Sequence, residues 1–169
     1  YSSNVLSYGD FPEYSNDYSA SSLLMPRGAI INGNLNEIHE VDLRNSEEIQ
    51  EFVSHSWYDY QAGKDKGLHP HAGETTLNYT GPEPPYEHLD VEGSYSWLKA
   101  PRWKGHAMEV GPLARVLMLY ASGHEPTQEL ANMALSTLDA PIDALYSTLG
   151  RTAARTLETK IIADAMNTW

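Results

Sequence analysis

Cysteine is absent from this chain, which removes every thiolate, the soft ligand on which many transition-metal centres depend. Basic residues are scarce as well. Eleven Lys plus Arg stand against 23 Asp plus Glu, for a formal net charge of −12. Phosphate recognition works through clustered cations that release counterions, so nucleic acid is excluded as a partner. The acids are spread along the chain rather than gathered in a tail, and read as a solvated surface. No stretch approaches the ~18 uninterrupted apolar residues needed to cross a bilayer. A Gly-rich phosphate loop, a His-Glu-x-x-His zinc helix and a Gly-x-Ser-x-Gly nucleophile elbow are missing too. As a self-sufficient enzyme the chain is unpersuasive.

Signals are also missing at the ends. The first residue is Tyr1, and the residues up to Gly9 hold neither a basic nor an apolar targeting segment. Asn167-Thr-Trp169 falls inside an unbroken helical pattern, without a Gly cap or a Pro stop. The expectation is an internal piece of a longer chain. Its 169 residues suffice for one core or for part of a larger one.

What is present begins with a stretch to Met25, rich in Ser, Asn, Tyr and Asp, that reads as irregular. Ala29-Ile-Ile31, the turn pair Asn32-Gly33 and an alternating run to Leu43 predict a β-hairpin. Asn45 or Ser46 with Glu48 suggests a helix start, and Ile49, Phe52, Val53, Trp57 and Tyr60 recur at helical spacing, so a helix is expected up to Gly63. Residues 64–111 have no convincing period and hold half of the prolines. Their aromatics, Tyr79, Tyr86, Tyr95, Trp97 and Trp103, are too many for a disordered segment and should dock it onto a surface.

Helices follow in residues 112–169. Pro112 suits a first helical position, with Leu113, Val116, Leu117 and Tyr120 inward and Gly123 as the stop. Pro126 opens a second helix with Leu130, Met133, Ala134 and Leu138 inward. Asp139 is expected to cap a third, in which Ile142, Leu145, Leu149, Ala153, Leu157 and Ile161 run on towards Trp169. The expected fold is α+β but mainly α, an antiparallel helical bundle carrying a small hairpin and a long loop. All three stretches, 1–63, 64–111 and 112–169, are taken as parts of a single larger domain.

Three constellations could carry chemistry. His69-Pro-His71 with Glu74 could share a metal if the backbone is extended, although exposed loop histidines are the commoner outcome. Pro82-Glu-Pro-Pro-Tyr86, followed by Glu87, His88, Asp90 and Glu92, fits a polyproline ligand or, better, a stiff loop. The third is Tyr95 to Arg115, which sets Lys99, Arg102, Lys104 and His106 among Trp97, Trp103, two Pro and two Gly. Within it Glu109 precedes Gly111-Pro112, where a helix dipole favours a carboxylate. It could cap the helix, or anchor the surroundings of a metal site and stop a proton there. Arg115 and Arg102 are its expected ionic partners.

Thr80-Gly-Pro-Glu-Pro-Pro-Tyr86, the Lys99-Ala-Pro-Arg-Trp103 stretch and Gly105-His-Ala-Met-Glu-Val-Gly-Pro-Leu-Ala-Arg115 together resemble the large subunit of nickel–iron hydrogenases, closest to the membrane-bound uptake group. Tyr8-Gly-Asp-Phe-Pro12 and Ser147-Thr-Leu-Gly-Arg151 match the same proteins on either side. The resemblance implies a share of the hydrogenase large-subunit fold and a parent protein that oxidises dihydrogen to protons and electrons. It implies a nickel–iron centre with cyanide and carbon monoxide on the iron, held by cysteines outside this chain, so that the piece itself binds no metal. It implies magnesium as well, with Glu109 close to it through water and near the proton exit. Arg102, His106 and Arg115 match motif positions without assigned roles, and Trp103 stands where many relatives have Tyr. The implied partner is an iron–sulfur small subunit, and the implied location is the periplasmic side of a membrane, reached through that subunit. A metal-free hydrogenase-like structural subunit of a redox complex and an unrelated acidic interaction module are the alternatives.

Overall fold

The computed structural model describes residues 3–12, 17–86 and 88–169. Among them it contains seven strands and three α-helices. The strands form three separate sheets of two, three and two members. The expectation of a mainly helical antiparallel bundle is therefore incorrect. Two compact units make up the chain, Tyr1–Asp42 with Met108–Trp169, and Leu43–Ala107.

In the first unit, β1 (Val5–Pro12) pairs antiparallel with β2 (Leu23–Ile30), Val5 opposite Ile30 and Pro12 opposite Leu23. The hairpin expected at Asn32-Gly33 is thus displaced. That pair does turn the chain, with φ of 53° and 69°, but only an isolated bridge between Ala29 and His39 follows it. The pairing partner of β2 lies upstream, in residues read from sequence as irregular. Glu13 to Asn16, in the same stretch, lie outside the described residues.

Helix α1 (Pro112–Ala121) covers the hairpin. Its Val116, Leu117 and Met118 join Val5 and Ile30 in one buried cluster with Leu145, Ala154 and Leu157. Burying an aliphatic side chain of this size contributes ~1.5–3 kcal/mol. Pro112 takes the first helical position and Gly111 the N-cap, with φ 112° and ψ −157°, a conformation open only to glycine. Helix α2 (Glu125–Thr137) follows, with Thr127, Ala131 and Leu135 buried. Met133 and Leu138, expected inward, are exposed. The pattern is rotated by about one position, so the apolar residues do not all serve this core.

The third helix is not continuous from Asp139. A 3-10 turn spans Ile142–Tyr146, and α3 (Thr148–Ala165) starts afresh. Its cap is Ser147, whose Oγ accepts from the Gly150 amide at 3.0 Å. Asp139 instead takes φ 48° in the preceding turn. A side chain on Gly150 would put its Cβ 2.3 Å from the Ala144 carbonyl oxygen and 2.4 Å from Leu145 Cα. The missing side chain lets α3 lie directly against the 3-10 turn. Gly150, Ala154, Leu157 and Ile161 form the buried line, and Leu149 points outward.

In the second unit the expected helix over 45–63 is two strands. β3 (Ile49–Phe52) pairs with β6 (Ala100–Trp103), which pairs in turn with β7 (His106–Ala107). β4 (Tyr58–Tyr60) pairs with β5 (Thr75–Leu77). The apolar positions suit either period, but Ile, Phe, Val, Trp and Tyr favour a pleated, half-buried surface. Cross-strand partners far along the chain decide the matter: Ile49 lies opposite Trp103 and Phe52 opposite Ala100. Trp57 anchors the irregular remainder. Its Nε1 donates to the Ser94 carbonyl at 3.0 Å, and its ring meets Tyr79 and Trp97 edge-on at 5.0 and 5.1 Å. Of the loop aromatics, Tyr79 and Trp97 dock on Trp57 and on each other and Tyr95 stacks on His55, whereas Tyr86 is exposed.

Candidate functional site

The approach to α1 is fixed by backbone pairing before any side chain acts. Glu109 N–H donates to the Asn4 carbonyl and Leu6 N–H to the Glu109 carbonyl, both at 2.9 Å. This extends the edge of β1 and holds the Glu109 side chain beside α3. There Arg151 closes on it as a fork, Nε to Oε1 at 2.7 Å and Nη2 to Oε2 at 2.5 Å. Arg151 also donates through Nη1 to the Tyr146 carbonyl. A bidentate pair of this kind is strong and directional. The helix N-terminus itself has no side-chain cap, so the carboxylate is spent on Arg151 rather than on capping α1.

Arg115, one turn into α1, is not the partner of Glu109. It pairs with Glu158 of α3, through Nε to Oε1 and through Nη2 to Oε2 at 3.1 Å. The Glu158 side chain is only 10% exposed. Its hydrogen bond holds the Arg115 guanidinium above its ordinary value, against the opposing effect of burial, and the Glu158 and Asp10 charges add to the rise. Arg151 and Glu158 are seven residues apart, two helical turns on one face of α3. That face thus presents a base to Glu109 and an acid to Arg115.

Beside the first pair lies Tyr146, whose hydroxyl is buried without a hydrogen-bond partner among the described residues. Burial, with smaller contributions from the Asp143 and Glu109 carboxylates, pushes the phenol up from 10.0 to about 12. The site in this unit is therefore a buried phenol hydroxyl next to the Glu109–Arg151 pair, with the Arg115–Glu158 pair two turns further along α3. It can hold charge and orient a proton donor. It offers no nucleophile.

Arg102 and His106, the other two expected residues, belong to the second unit. Arg102 lies on β6, donates from Nη1 to the Pro101 carbonyl at 2.9 Å and stacks 5.6 Å above the Phe52 ring. It has no carboxylate partner among the described residues. His106 is exposed on β7, opposite Trp103.

At His69-Pro-His71, His69 Nε2 faces the Leu43 carbonyl at 2.9 Å and Nδ1 faces the His71 amide at 3.1 Å. A carbonyl only accepts, so Nε2 carries the proton and Nδ1 accepts. Neither nitrogen is left for a metal. In the proline run, the Tyr79 hydroxyl donates to the Pro82 carbonyl at 2.8 Å and the Asp90 carboxylate accepts from the Gly93 amide at 2.8 Å. Those bonds fit the stiff-loop reading. Glu87, named with that run, lies outside the described residues.

Sequence reasoning missed Arg151, Glu158 and Tyr146 as site residues. The available signal was two opposite charges seven residues apart on a helix whose buried line they flank.

Comparison with known proteins adds the lineage. Residues 1–169 match the family described as nickel-dependent hydrogenase. The chain is 56% identical over 161 residues to the uptake hydrogenase large subunit of Bradyrhizobium diazoefficiens, covering 92% of this chain and 27% of that protein. Against the hydrogenase-1 large chain of Escherichia coli it is 45% identical, covering 96% of this chain and 28% of the relative. A crystal structure of the reduced, active nickel–iron–selenium hydrogenase from Desulfomicrobium baculatum is similar at a TM-score of 0.61 and 30% identity. That likeness covers 98% of this chain and 31% of the other. The chain thus spans little more than a quarter of the length of the curated relatives it matches. With the match running over all of its residues, the chain belongs to the nickel-dependent hydrogenase family.

Proposed function

We propose that the chain is an internal segment of the large subunit of an uptake hydrogenase, one part of a single larger domain. The parent oxidises H2 to two protons and two electrons and passes the electrons to a smaller iron–sulfur subunit. The observation that carries this reading is the family match over residues 1–169 with high identity to uptake-type large subunits. Large apolar side chains left exposed on the helices, Met133, Leu138 and Leu149 among them, support the rest of such a subunit packing over them. Among the described residues no helix is long and apolar enough to cross a membrane. On this reading the parent sits at the membrane, on its periplasmic side, through its partner.

The residues present do not fit the metal centre. A nickel–iron site carrying cyanide and carbon monoxide calls for soft thiolate ligands, and this chain has no cysteine. The ligands belong to the parent outside these residues, and no step of the redox chemistry is assigned to side chains here. What this segment contributes is support. The Glu109–Arg151 and Arg115–Glu158 pairs hold α3 against α1 and its approach. Glu109 keeps lone pairs beyond the two given to Arg151, which suits a water-mediated place beside magnesium and the proton exit. Arg102 and His106 are assigned to the neighbourhood of that path on their motif positions alone.

The test is to extend the gene in both directions and purify the product. Paired Cys-x-x-Cys motifs on either side, about one nickel per subunit and H2-dependent reduction of a dye are the expected results. Homologous flanks without cysteine, in a protein that retains no nickel, would overturn the assignment.

A further inference from the structure

Two ion pairs join α3 to α1 and its approach, and their acids differ in reach. The Glu158 side chain is 10% exposed, and the Glu109 side chain 25%. Glu158 is closed in by its own pair. Glu109 keeps an open side, where a third group can meet it.

Its partner is fixed before the pair forms. Arg151 lies in the first turn of α3, where its backbone N–H donates to the Ser147 carbonyl at 2.9 Å. Ser147 caps that turn through the Gly150 amide. Gly150 seats it on the 3-10 turn, where a Cβ would come 2.3 Å from the Ala144 carbonyl oxygen. The guanidinium is tied to the same turn, because Nη1 donates to the Tyr146 carbonyl. Nε and Nη2 then form an edge aimed at Glu109. Cap, glycine contact and carbonyl bond hold that edge without help from Glu109, so the fork is preformed.

Glu109 is locked from the other end, its backbone paired to Asn4 and Leu6 at 2.9 Å. Only its side-chain torsions are left, and a two-point contact removes them by holding both oxygens along the guanidinium edge. A point charge such as lysine would let the carboxylate turn about one bond. Each oxygen gives one lone pair to the fork and keeps another. The plane of the fork therefore decides from which directions Glu109 accepts hydrogen bonds from water.

We propose that Arg151 is a positioning residue for Glu109 in the parent's reaction, fixing the plane of the carboxylate and the directions of the lone pairs left for water. The proposal rests on the reading that Glu109 stands beside the parent's magnesium and proton exit. It gives the two pairs different roles. Arg115–Glu158 fastens helices, whereas Arg151–Glu109 also aims an acid.

The test uses the full-length parent assembled with its smaller subunit. Arg151→Lys keeps the charge and abolishes the fork. Its kcat per nickel should fall about tenfold, the low end of the range for groups just outside a metal's ligands, with the KM for H2 unchanged. In a Glu109→Gln background the same substitution should lower kcat no further, because the group it acts through is already gone. A crystal structure of the Arg151→Lys parent should show the Glu109 carboxylate turned out of its native plane, a readout that needs no turnover. Where Arg151→Lys does not assemble, Glu109→Asp stands in. It keeps the acid but draws it one methylene short of the fork, and should be as slow as Glu109→Gln. Wild-type turnover in Glu109→Gln would defeat the reading on which the proposal rests. With Glu109→Gln slow, this inference alone is defeated by Arg151→Lys or Glu109→Asp at the wild-type rate. An unmoved carboxylate, or a loss from Arg151→Lys that adds in full to that of Glu109→Gln, defeats it equally.

Discussion

Arg151 grips Glu109 with two nitrogens of its fork, at 2.7 and 2.5 Å, across 42 residues of sequence. The contact ties α3 to the segment that leads into α1, where the family motif lies. Glu109→Gln keeps the shape and removes the charge. Under the proposed place of Glu109 beside the parent's metal and proton region, turnover per nickel should fall ~10–100-fold, the range for groups acting just outside a metal's ligands. Hydrogen uptake and proton exchange of the nickel-loaded variant measure it. Wild-type turnover, with only a lowered melting temperature, would leave Glu109 as a structural clamp.

The second pair makes a cleaner stability test, because Glu158 is nearly buried. Arg115→Met strands that carboxylate, and removing one member of a buried pair costs ~3 kcal/mol or more. Arg115→Met combined with Glu158→Leu removes both charges and should recover most of the loss. Denaturant unfolding of the single and double variants gives the coupling. A double variant no more stable than Arg115→Met would show that packing, not the stranded charge, sets the cost.

Gly150→Ala should be severely destabilising despite alanine's better helix propensity. The new methyl would fall within 2.5 Å of the Leu145 backbone and 2.3 Å of the Ala144 carbonyl. Backbone cannot step aside as a flexible side chain can, so α3 must pull away from the 3-10 turn. Overpacking of this kind costs ~1–3 kcal/mol or more. An unchanged melting temperature would mean that the turn yields freely.

How far the sequence revealed this structure depended on the range of the contacts. Pro112, Leu113, Val116 and Leu117 announced α1 because its signals are local and lie within one helix. The family blocks were legible for the same reason. The helix expected over Ile49 to Tyr60 failed because its apolar spacing fits two periods, and the choice between them lies with Trp103 and Ala100, about 50 residues away. The Asn32-Gly33 turn was read correctly as a turn but joined to the wrong strand, since β2 pairs with Val5–Pro12. Glu109 drew attention as an acid before a helix. Its partner, Arg151, could not be seen from local pattern, because an ion pair between distant segments leaves no periodic trace.

Tyr146 provides the last prediction. A buried hydroxyl without a partner gives up its bonds to water and receives nothing in return, at a cost of ~1–3 kcal/mol. Tyr146→Phe should therefore stabilise the protein near neutral pH, by ~1 kcal/mol once lost dispersion and half-burial of the residue are allowed for. The effect should also depend on pH in a fixed direction. The phenol titrates at 10.0 in an open chain and at about 12 when folded, so from the lower value upward the unfolded state releases a proton that the folded state keeps. Wild-type stability then falls as pH rises through that window. Tyr146→Phe should fall less steeply over the same range, with Tyr60, also raised by burial, contributing equally to both proteins. Unfolding free energies measured from pH 9 to 12 would decide it, and parallel curves for the two proteins would show that Tyr146 titrates alike folded and unfolded.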